Sequence, residues 1–504
     1  MPIEPVYEKI NVNNRKNYFS EQIKCKAKTS VATSEIKEIL SINSTAGVFG
    51  SEITNGQISF SGKAVFYVCY LDQGGQVRKT EVSSDFSSYI KEDSVKEGYK
   101  AIFSVELGKT EFDISGIALE VGTSLAVQVQ TAESVELSAL AGGEGLICDN
   151  VDIQVVKSFG VKEGVYPIEE EFELDTEIKE VLSHRANAVI TQVQCGVGSI
   201  IVDGKAFLTV IALQNQEKCA IIKETRVVPF RTEIECEDAM PTMRATAKVF
   251  EKSLKTQVEV DEDSQKSVVS ISLNLCFSAE AFIDQTITVC KDVFSTTENL
   301  NLEKDNAICF RCLDPVYACT KINGRAGTDE LPIGVSLFAI GEEKVEIISK
   351  QQTDIGLKLT GALSCIGYFS NGEGLAFTRK LEMPFEKVIE VALAQENAEL
   401  DLIIKAENGT ARLVNAVEVE LDVELNLTLY QTEKSEFSCI KEVISVGEKV
   451  ENPHAISVYI PVQNEELWSL SKRLNVCPET LLSTNPELCF PLTGNERIVV
   501  YRQR

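Results

Sequence analysis

The sequence predicts a mainly β protein, in which three consecutive antiparallel β-rich, sandwich-like repeats are followed by a small βααβ module. Three observations support this fold class. Apolar and polar residues alternate strictly over long stretches, short sequence words recur at a fixed spacing, and the pattern changes over about the last 50 residues. The predicted limits are 1–157, 158–305 and 306–451 for the repeats and 455–504 for the terminal module.

Each predicted repeat contains one long alternating stretch. Hydrophobic residues occupy every second position over 417–429 and over 269–277, and a less regular alternation covers 117–129. Strict period two gives a strand one buried face and one solvated face, which is typical of antiparallel sheets. A helix would distribute the same residues around its axis. The alternation therefore predicts sheets with a hydrophobic core on one side.

Short words recur along the chain. Glu-Ile-Lys-Glu-Ile-Leu at 35–40 returns as Glu-Ile-Lys-Glu-Val-Leu at 177–182, and Gly-Lys-Ala at 62–64 returns at 204–206 with the same spacing of 142 residues. A weaker third copy has Thr-Gly-Ala at 360–362. A phenylalanine follows each glycine after 24 to 26 residues, at Phe86, Phe230 and Phe385. Self-similarity at a fixed spacing indicates repeated structural units.

The last part of the chain follows a different pattern. It predicts a strand over 458–462, a helix containing Leu467, Leu470 and Leu474, a second helix that begins at Pro478, and a closing strand over 497–501. The acidic and basic residues of this segment balance. The net charge of −27 therefore lies in the β-rich body, which marks the terminal segment as a separate module.

Composition excludes several classes of function. With 49 basic and 76 acidic residues, the chain lacks the excess of Lys and Arg that nucleic-acid binding or docking on anionic lipid requires. The first ten residues do not resemble a signal peptide, and no run of about 18 apolar residues predicts a transmembrane segment. Fifteen cysteines without an export signal predict reduced thiols in the cytosol. We therefore expect a cytoplasmic protein.

No pattern of residues predicts catalysis or a cofactor. The only histidines, His184 and His454, lie far apart in the sequence and lack neighbouring partners for a catalytic triad. The segment from Gly56 to Lys63 resembles a phosphate-binding loop. However, five residues separate its glycines where four are required, and alanine follows the lysine. We expect these glycines to permit a bend or close packing where a strand begins, and we expect no enzyme activity.

The only cluster of thiols is formed by Cys309, Cys312 and Cys319. A structural zinc site needs four ligands, usually supplied as two paired Cys-x-x-Cys motifs, and no second motif exists. Reduced cysteines near the junction of two repeats are the favoured interpretation. A metal site at these three residues remains the weaker alternative.

The terminal module resembles a LysM domain. The matching words are Tyr459, Leu-Trp-Ser-Leu-Ser-Lys-Arg-Leu at 467–474, Val476, and Leu-Leu-Ser-Thr-Asn-Pro at 481–486. LysM domains elsewhere bind N-acetylglucosamine polymers through a loop that usually reads Gly-Asp-Thr or Gly-Asp-Ser. Here the loop is altered to Asn464, Glu465 and Glu466. The resemblance therefore implies a protein-binding LysM, with glycan binding as the alternative.

The body resembles the SPOCS domains of clostridial spore proteins. Besides the repeated words, the matching features are Leu71-Asp72, Asp-Ile-Gln-Val-Val-Lys at 152–157, and Lys-Asp-Val-Phe-Ser at 291–295. Their order, together with a terminal LysM-like module, resembles the SipL-type spore coat assembly proteins over nearly the whole chain.

That resemblance implies a non-enzymatic adaptor in endospore coat assembly. It would act in the mother-cell cytosol at the forespore surface, and its LysM domain would bind the coat-basement ATPase called stage IV protein A. The SPOCS repeats would bind coat or sister proteins. The alternative is a self-assembling β-repeat protein of the spore envelope or of an appendage, fixed by its LysM domain to a peptidoglycan- or chitin-type glycan.

We predict the partner site on the terminal module. Trp468 is the only tryptophan of the chain, and tryptophan is enriched at interface hot spots. The expected contact is a small apolar patch with a polar rim. Its predicted residues are Ile460, Leu467, Trp468, Lys472, Arg473 and Asn485.

Overall fold

The computed structural model describes residues 3–19, 22–74, 77–97, 99–215, 220–261, 266–371, 376–393, 398–450 and 456–501. His454 and the predicted junction around residue 451 lie outside these ranges. The described part of the chain is mainly β, as the sequence predicts. None of its helices is long and apolar enough to cross a membrane.

The strands of the body fall into three units with a common pattern. Unit 1 comprises β1 (Glu4–Phe19), β2 (Ile23–Ala32), β3 (Ile36–Thr54), β4 (Gln57–Asp72), β5 (Val77–Lys91), β6 (Lys100–Asp113) and β7 (Ala118–Glu144), with a 3₁₀ turn at Thr33–Glu35. Unit 2 comprises β8 (Ile147–Leu174), β9 (Ile178–Cys195), β10 (Ser199–Gln214), β11 (Ile221–Glu235), β12 (Arg244–Asp261) and β13 (Lys266–Phe294). Unit 3 comprises β14 (Glu298–Cys312), β15 (Val316–Gly327), β16 (Ser336–Thr353), β17 (Gly356–Ser370), β18 (Ala376–Glu390), β19 (Glu399–Asn415) and β20 (Glu418–Glu448).

Units 1 and 2 each contain two antiparallel sheets, whereas in unit 3 the two are joined into one seven-stranded sheet where Gly327 of β15 pairs with Glu382 of β18. Three consecutive strands form a meander, which is β3-β4-β5 in unit 1, β9-β10-β11 in unit 2 and β16-β17-β18 in unit 3. The long last strand of each unit, β7, β13 or β20, lies between two other strands over its first half. Over its second half it pairs with the first strand of the same unit, forming a two-stranded ribbon. The apolar faces of the two sheets enclose a core in each unit.

The predicted alternation is confirmed in all three long strands. The inward-facing residues of β13 at 269–277 and of β20 at 419–429 are at most 5% exposed, as are Leu119, Val121, Leu125, Val127 and Val129 of β7. Two predicted core positions are exposed: Ile117 by 91% and Val417 by 46%. Both precede the first residue of their strand and lie in turns.

The three ribbons share a core. One cluster combines Ile10 and Ala139 of unit 1, Val289 of unit 2, and Cys309 and Cys439 of unit 3. A second shared cluster joins the meanders, where Cys69, Ile211 and Tyr368 meet from units 1, 2 and 3. In each unit this residue follows the repeated glycine by seven positions. Equivalent positions of the three units therefore lie together in the interior. The units pack against one another through shared cores.

The predicted repeat limits fall within continuous strands. The limit at 157/158 lies inside β8, and the limit at 305/306 lies inside β14. The chain turns between units at residues 145–146 and 295–297 instead. β8 continues through the predicted limit because its first half forms the ribbon of unit 2 and its second half enters the sandwich. Whether the units are separate SPOCS domains stays a prediction.

The terminal module has the predicted βααβ order. It comprises β21 (Ile456–Tyr459), α1 (Leu467–Leu474), α2 (Pro478–Thr484) and β22 (Ile498–Tyr501), and β21 pairs antiparallel with β22. Pro478 begins α2, and Asn475 adopts the left-handed conformation that commonly ends a helix, here α1. The core of the module contains Leu470, Leu474, Val476, Leu481, Leu492, Ile498 and Val500.

Candidate interaction site on the terminal module

Helix α1 packs against the end of the unit 2 ribbon. The indole Nε1 of Trp468 donates a hydrogen bond of 2.9 Å to Oδ2 of Asp292. The Trp468 ring packs edge-on against the Phe294 ring, with 5.2 Å between the ring centroids. Lys472 Nζ lies 2.8 and 2.7 Å from the two carboxylate oxygens of Asp292. We call Asp292, Phe294, Trp468 and Lys472 the clasp. It connects the module to the body through one half-buried carboxylate.

A second set of polar contacts lies beside the clasp. Lys449 donates hydrogen bonds of 2.7 Å to the Ser295 carbonyl and to the side-chain oxygen of Asn475. Asn475 in turn donates to the Thr296 carbonyl at 2.6 Å. The residue that ends α1 therefore also binds the turn between units 2 and 3. These contacts fix the orientation of α1.

The pKa of Asp292 lies below its usual value. Burial raises this pKa, but the hydrogen bonds from Lys472 and Trp468 and the charge of Lys472 together outweigh the burial. A carboxyl whose pKa is lower in the docked state stabilises docking at pH values above its ordinary pKa. That stabilisation is lost as the pH falls through the docked-state value. The ionised Asp292 carboxylate therefore favours the closed clasp at neutral pH.

Asp292→Asn is expected to loosen the clasp at neutral pH, since it removes the charge that holds Lys472 and weakens the acceptor for Trp468. The emission of Trp468 should shift to longer wavelength, and its quenching by acrylamide should increase. The chain contains no other tryptophan, so both signals report on the clasp alone. Asp85→Asn, at a side chain that is 81% exposed in unit 1, is the matched control and should change neither signal. An unchanged emission in Asp292→Asn would contradict the clasp.

The structure places the predicted partner residues in different environments. Trp468 and Lys472 contact the body, and Leu467 packs partly into the core of the module. Asn485 is 1% exposed and binds the backbone of Leu481 and Val499, so it does not contribute to a surface rim. Arg473 pairs with Glu465. Ile460 alone of the predicted apolar patch is largely exposed, at 70%.

The altered loop is held within the module. The Glu465 carboxylate accepts hydrogen bonds from the Val462 amide at 3.0 Å and from two nitrogens of Arg473 at 2.8 Å. These hydrogen bonds, with the charge of Arg473, keep the pKa of Glu465 below its usual value even though partial burial opposes them. Asn464 has a positive φ of 62°, and Glu466 is exposed. Glu465 therefore stabilises the loop by contacts within the module.

An apolar face beside Ile460 was missed from the sequence. Alternate side chains of β21 and the segment after it point to solvent, because period two places them on one face. Tyr501 extends this face from β22, where it pairs with Ile456. We call it the ribbon face. It consists of Ile456, Val458, Ile460, Val462 and Tyr501, which are 54–70% exposed.

The structure separates the three candidate metal-binding thiols. Cys309 lies in the core shared by the ribbons, Cys312 packs with Val156 and Phe282, and Cys319 is exposed. Among the residues that the structure describes, no three His, Cys, Asp or Glu side chains are placed to hold a metal ion. Every described cysteine is a free thiol.

The repeated glycines have a common role in the meanders. Gly204 of β10 pairs directly with Phe230 of β11, and the Phe230 ring lies over it. A Cβ at Gly204 would overlap this ring and the carbonyl oxygen of Val189, where β9 carries a bulge. The same arrangement joins Gly62 to Phe86 and Gly361 to Phe385. The spacing between glycine and phenylalanine seen in the sequence is thus the length of one hairpin.

The segment built around Gly204 and Phe230 also matches a known family. Residues 177–259 match the family described as SipL, SPOCS domain. This segment, which we call the SPOCS segment, is therefore similar to a SPOCS domain, and it runs from the start of the unit 2 meander through most of β12.

The SPOCS match covers less than a fifth of the chain. No curated protein matches the sequence, and no solved structure matches it. Units 1 and 3 share the meander and the paired glycine and phenylalanine with the SPOCS segment, but the family match does not extend to them.

Proposed function

We propose that this chain is a non-enzymatic adaptor in endospore coat assembly, which binds its partner through the ribbon face of the terminal module. The observation that carries this proposal is the exposure of five neighbouring apolar side chains on a small module, at 54–70% each. Large exposed apolar patches are uncommon on soluble monomers and mark interaction sites. The SPOCS segment supports a sporulation-related role in protein interaction.

The proposed partner is the coat-basement ATPase, a stage IV protein A-like protein. It is the partner that the resemblance to LysM-containing SipL-type proteins implies, and the site of action would be the mother-cell cytosol at the forespore surface. The strands of units 1 and 3, which repeat the SPOCS pattern, offer further surfaces for coat or sister proteins. This part of the proposal rests on the family resemblance.

The distribution of charge along the chain favours an apolar contact between the terminal module and its partner. The chain has a net charge of −27, and its acidic excess lies in the body. Burial of the ribbon face would drive association without requiring a charged partner. Exposed ion pairs contribute little and are screened by salt, so the affinity should depend only weakly on ionic strength.

Ile460→Glu is expected to weaken binding of the partner about 30-fold or more, the equivalent of about 2 kcal/mol for a central contact. A charge in the middle of the ribbon face would have to be desolvated on binding, whereas in the free protein Ile460 is 70% exposed and the fold should tolerate the change. Affinity for the purified ATPase can be measured by calorimetry, and retention by pull-down from sporulating cells. Val197→Glu, at a side chain of unit 2 that is 86% exposed, is the control.

Two results would count against this proposal. One is equal affinity in Ile460→Glu and in the native chain. The other is measurable binding of chitin oligomers that depends on Asn464 or Glu466, as the glycan alternative requires. Trp468→Ala is a poor probe because Trp468 also forms the clasp, so its loss would disturb docking on the body.

A further inference from the structure

Two cysteines of unit 2 lie together beneath the clasp. Cys148, near the start of β8, packs against the buried cluster that contains Cys290 of β13. The two thiols are close enough for each to shift the pKa of the other. A bulge between Cys290 and Asp292 brings this point of β13 close to the beginning of β8, since Asn150 pairs with Cys290 and Cys148 pairs with Val293.

The two thiols differ in their chemistry. The interaction with Cys290 lowers the pKa of Cys148, although burial opposes the change. The same interaction and then burial raise the pKa of Cys290. Cys148 is also the more accessible of the two, because it is half-buried whereas Cys290 is 1% exposed. Cys148 therefore has the properties of an attacking thiolate and Cys290 those of a resolving thiol.

This pair is connected to the clasp through the backbone. The Cys290 thiol lies 3.1 Å from the carbonyl oxygen of Asp292, to which it donates a hydrogen bond. The carboxylate of the same Asp292 holds Trp468 and Lys472. In unit 3 the corresponding ribbon positions are apolar, with Ile440 and Leu302 in the same cluster. The thiols thus occur in the unit that holds the terminal module.

We propose that Cys148 and Cys290 form a redox-active dithiol, and that its oxidation to a disulfide opens the clasp. The oxidant is a hydroperoxide. The Cys148 thiolate attacks the peroxide oxygen, the O–O bond breaks, and a sulfenic acid and an alcohol or water form after protonation. The Cys290 thiol then attacks the sulfenic sulfur, a disulfide forms and one water leaves. Two thiols are oxidised and one peroxide is reduced.

Opening follows from the loss of the Cys290 donor. The new bond turns the Cys290 sulfur toward Cys148, so the Asp292 carbonyl no longer receives its hydrogen bond and the bulge rearranges. Asp292 must keep its present position to bind Trp468 and Lys472 at once. Oxidation therefore changes how the terminal module sits on the body. This proposal does not depend on which partner the ribbon face binds.

The test uses the full chain with the exposed Cys319 and Cys489 replaced by serine. Stepwise addition of hydrogen peroxide should consume two thiols first. Peptide mapping without reductant should then find Cys148 joined to Cys290. The Trp468 emission should shift to longer wavelength in parallel, and dithiothreitol should reverse both changes. Cys195→Ser, which removes a buried thiol from the core of unit 2, should leave this response intact.

Cys148→Ser and Cys290→Ser should each abolish the disulfide and the response of Trp468 to peroxide. Cys290→Val, which imitates the apolar residue at Ile440, replaces the serine variant if serine is not tolerated in the buried cluster. Oxidation of other thiols while Cys148 and Cys290 stay reduced would overturn the dithiol. A Cys148–Cys290 disulfide that leaves the Trp468 emission unchanged would overturn its connection to the clasp.

Discussion

Replacement of Arg185 by methionine is expected to lower the free energy of unfolding by about 3–5 kcal/mol. Arg185 of β9 contacts unit 3, where its guanidinium lies 2.8 Å from Oε2 of Glu343 and 3.0 Å from Oε1 of Glu407. The side chains are 17%, 4% and 2% exposed, respectively. Without Arg185, these carboxylates would lose a buried cation and most of their compensation.

A second cation, Lys223, binds only one of these two carboxylates. Lys223 of β11 lies 2.8 Å from Oε1 of Glu343 and donates to the Gly409 carbonyl at 2.8 Å. Lys223 stays close to Glu343 when Arg185 is removed, but Glu407 pairs with Arg185 only, among the described ion pairs. The uncompensated carboxylate in Arg185→Met is therefore chiefly Glu407. A companion Glu407→Gln substitution should recover part of the lost stability.

The comparison is made by urea unfolding followed by circular dichroism. Arg412→Met is the matched control, because Arg412 pairs with Glu420 at the surface, where the two side chains are 77% and 43% exposed. Its effect should stay within about 0.5 kcal/mol. Equal midpoints for Arg185→Met and Arg412→Met would mean that the buried network does not hold units 2 and 3 together.

Gly204→Ala is expected to cost about 3 kcal/mol, the upper part of the range for overpacking in a core. The added methyl group would meet the Phe230 ring on one side and the Val189 carbonyl on the other. A rigid ring and a backbone atom cannot both give way without shifting a strand of the meander. The loss should be visible as a lower thermal midpoint and a lower urea midpoint.

Gly327→Ala is the matched control, since a Cβ at Gly327 of β15 would meet no atom within 4 Å. Its stability should be unchanged, or higher by less than about 1 kcal/mol, because alanine restricts the unfolded chain. Phe230→Leu in the Gly204→Ala background should restore part of the loss by removing the ring edge. Similar stability in the two glycine variants would show that the close packing at Gly204 is not required.

The sequence predicts this fold well where one strand can be interpreted alone. The alternation over 269–277 identifies the buried face of β13, and the spacing from Gly204 to Phe230 identifies a hairpin, because both depend on local periodicity. The predicted limit at 157/158 falls inside β8, which carries no turn where it leaves the ribbon and enters the sandwich. The passage of one continuous strand from the ribbon into the sandwich leaves no signal in the charge or the hydrophobic periodicity of the sequence.

The candidate site was harder to predict, for a related reason. Trp468 was expected at a surface, but its partner Asp292 is 176 residues away in the sequence, and nothing near Trp468 indicates this contact. Asn485 resembles a polar surface residue until β22 closes over it. The ribbon face could have been found, since 456–462 alternates in hydrophobicity and the inward Ile498 and Val500 leave the outer face uncovered.

The core shared by the three ribbons bears on how the chain is made. β1 pairs with the second half of β7, so during synthesis β1 waits for a partner more than a hundred residues later in the chain. The cluster around Ile10 is complete only when Cys439 has been synthesised. Contacts so distant in sequence slow folding and leave strand edges exposed meanwhile. A nascent chain of this protein should therefore depend on chaperones at least until Cys439 has been synthesised.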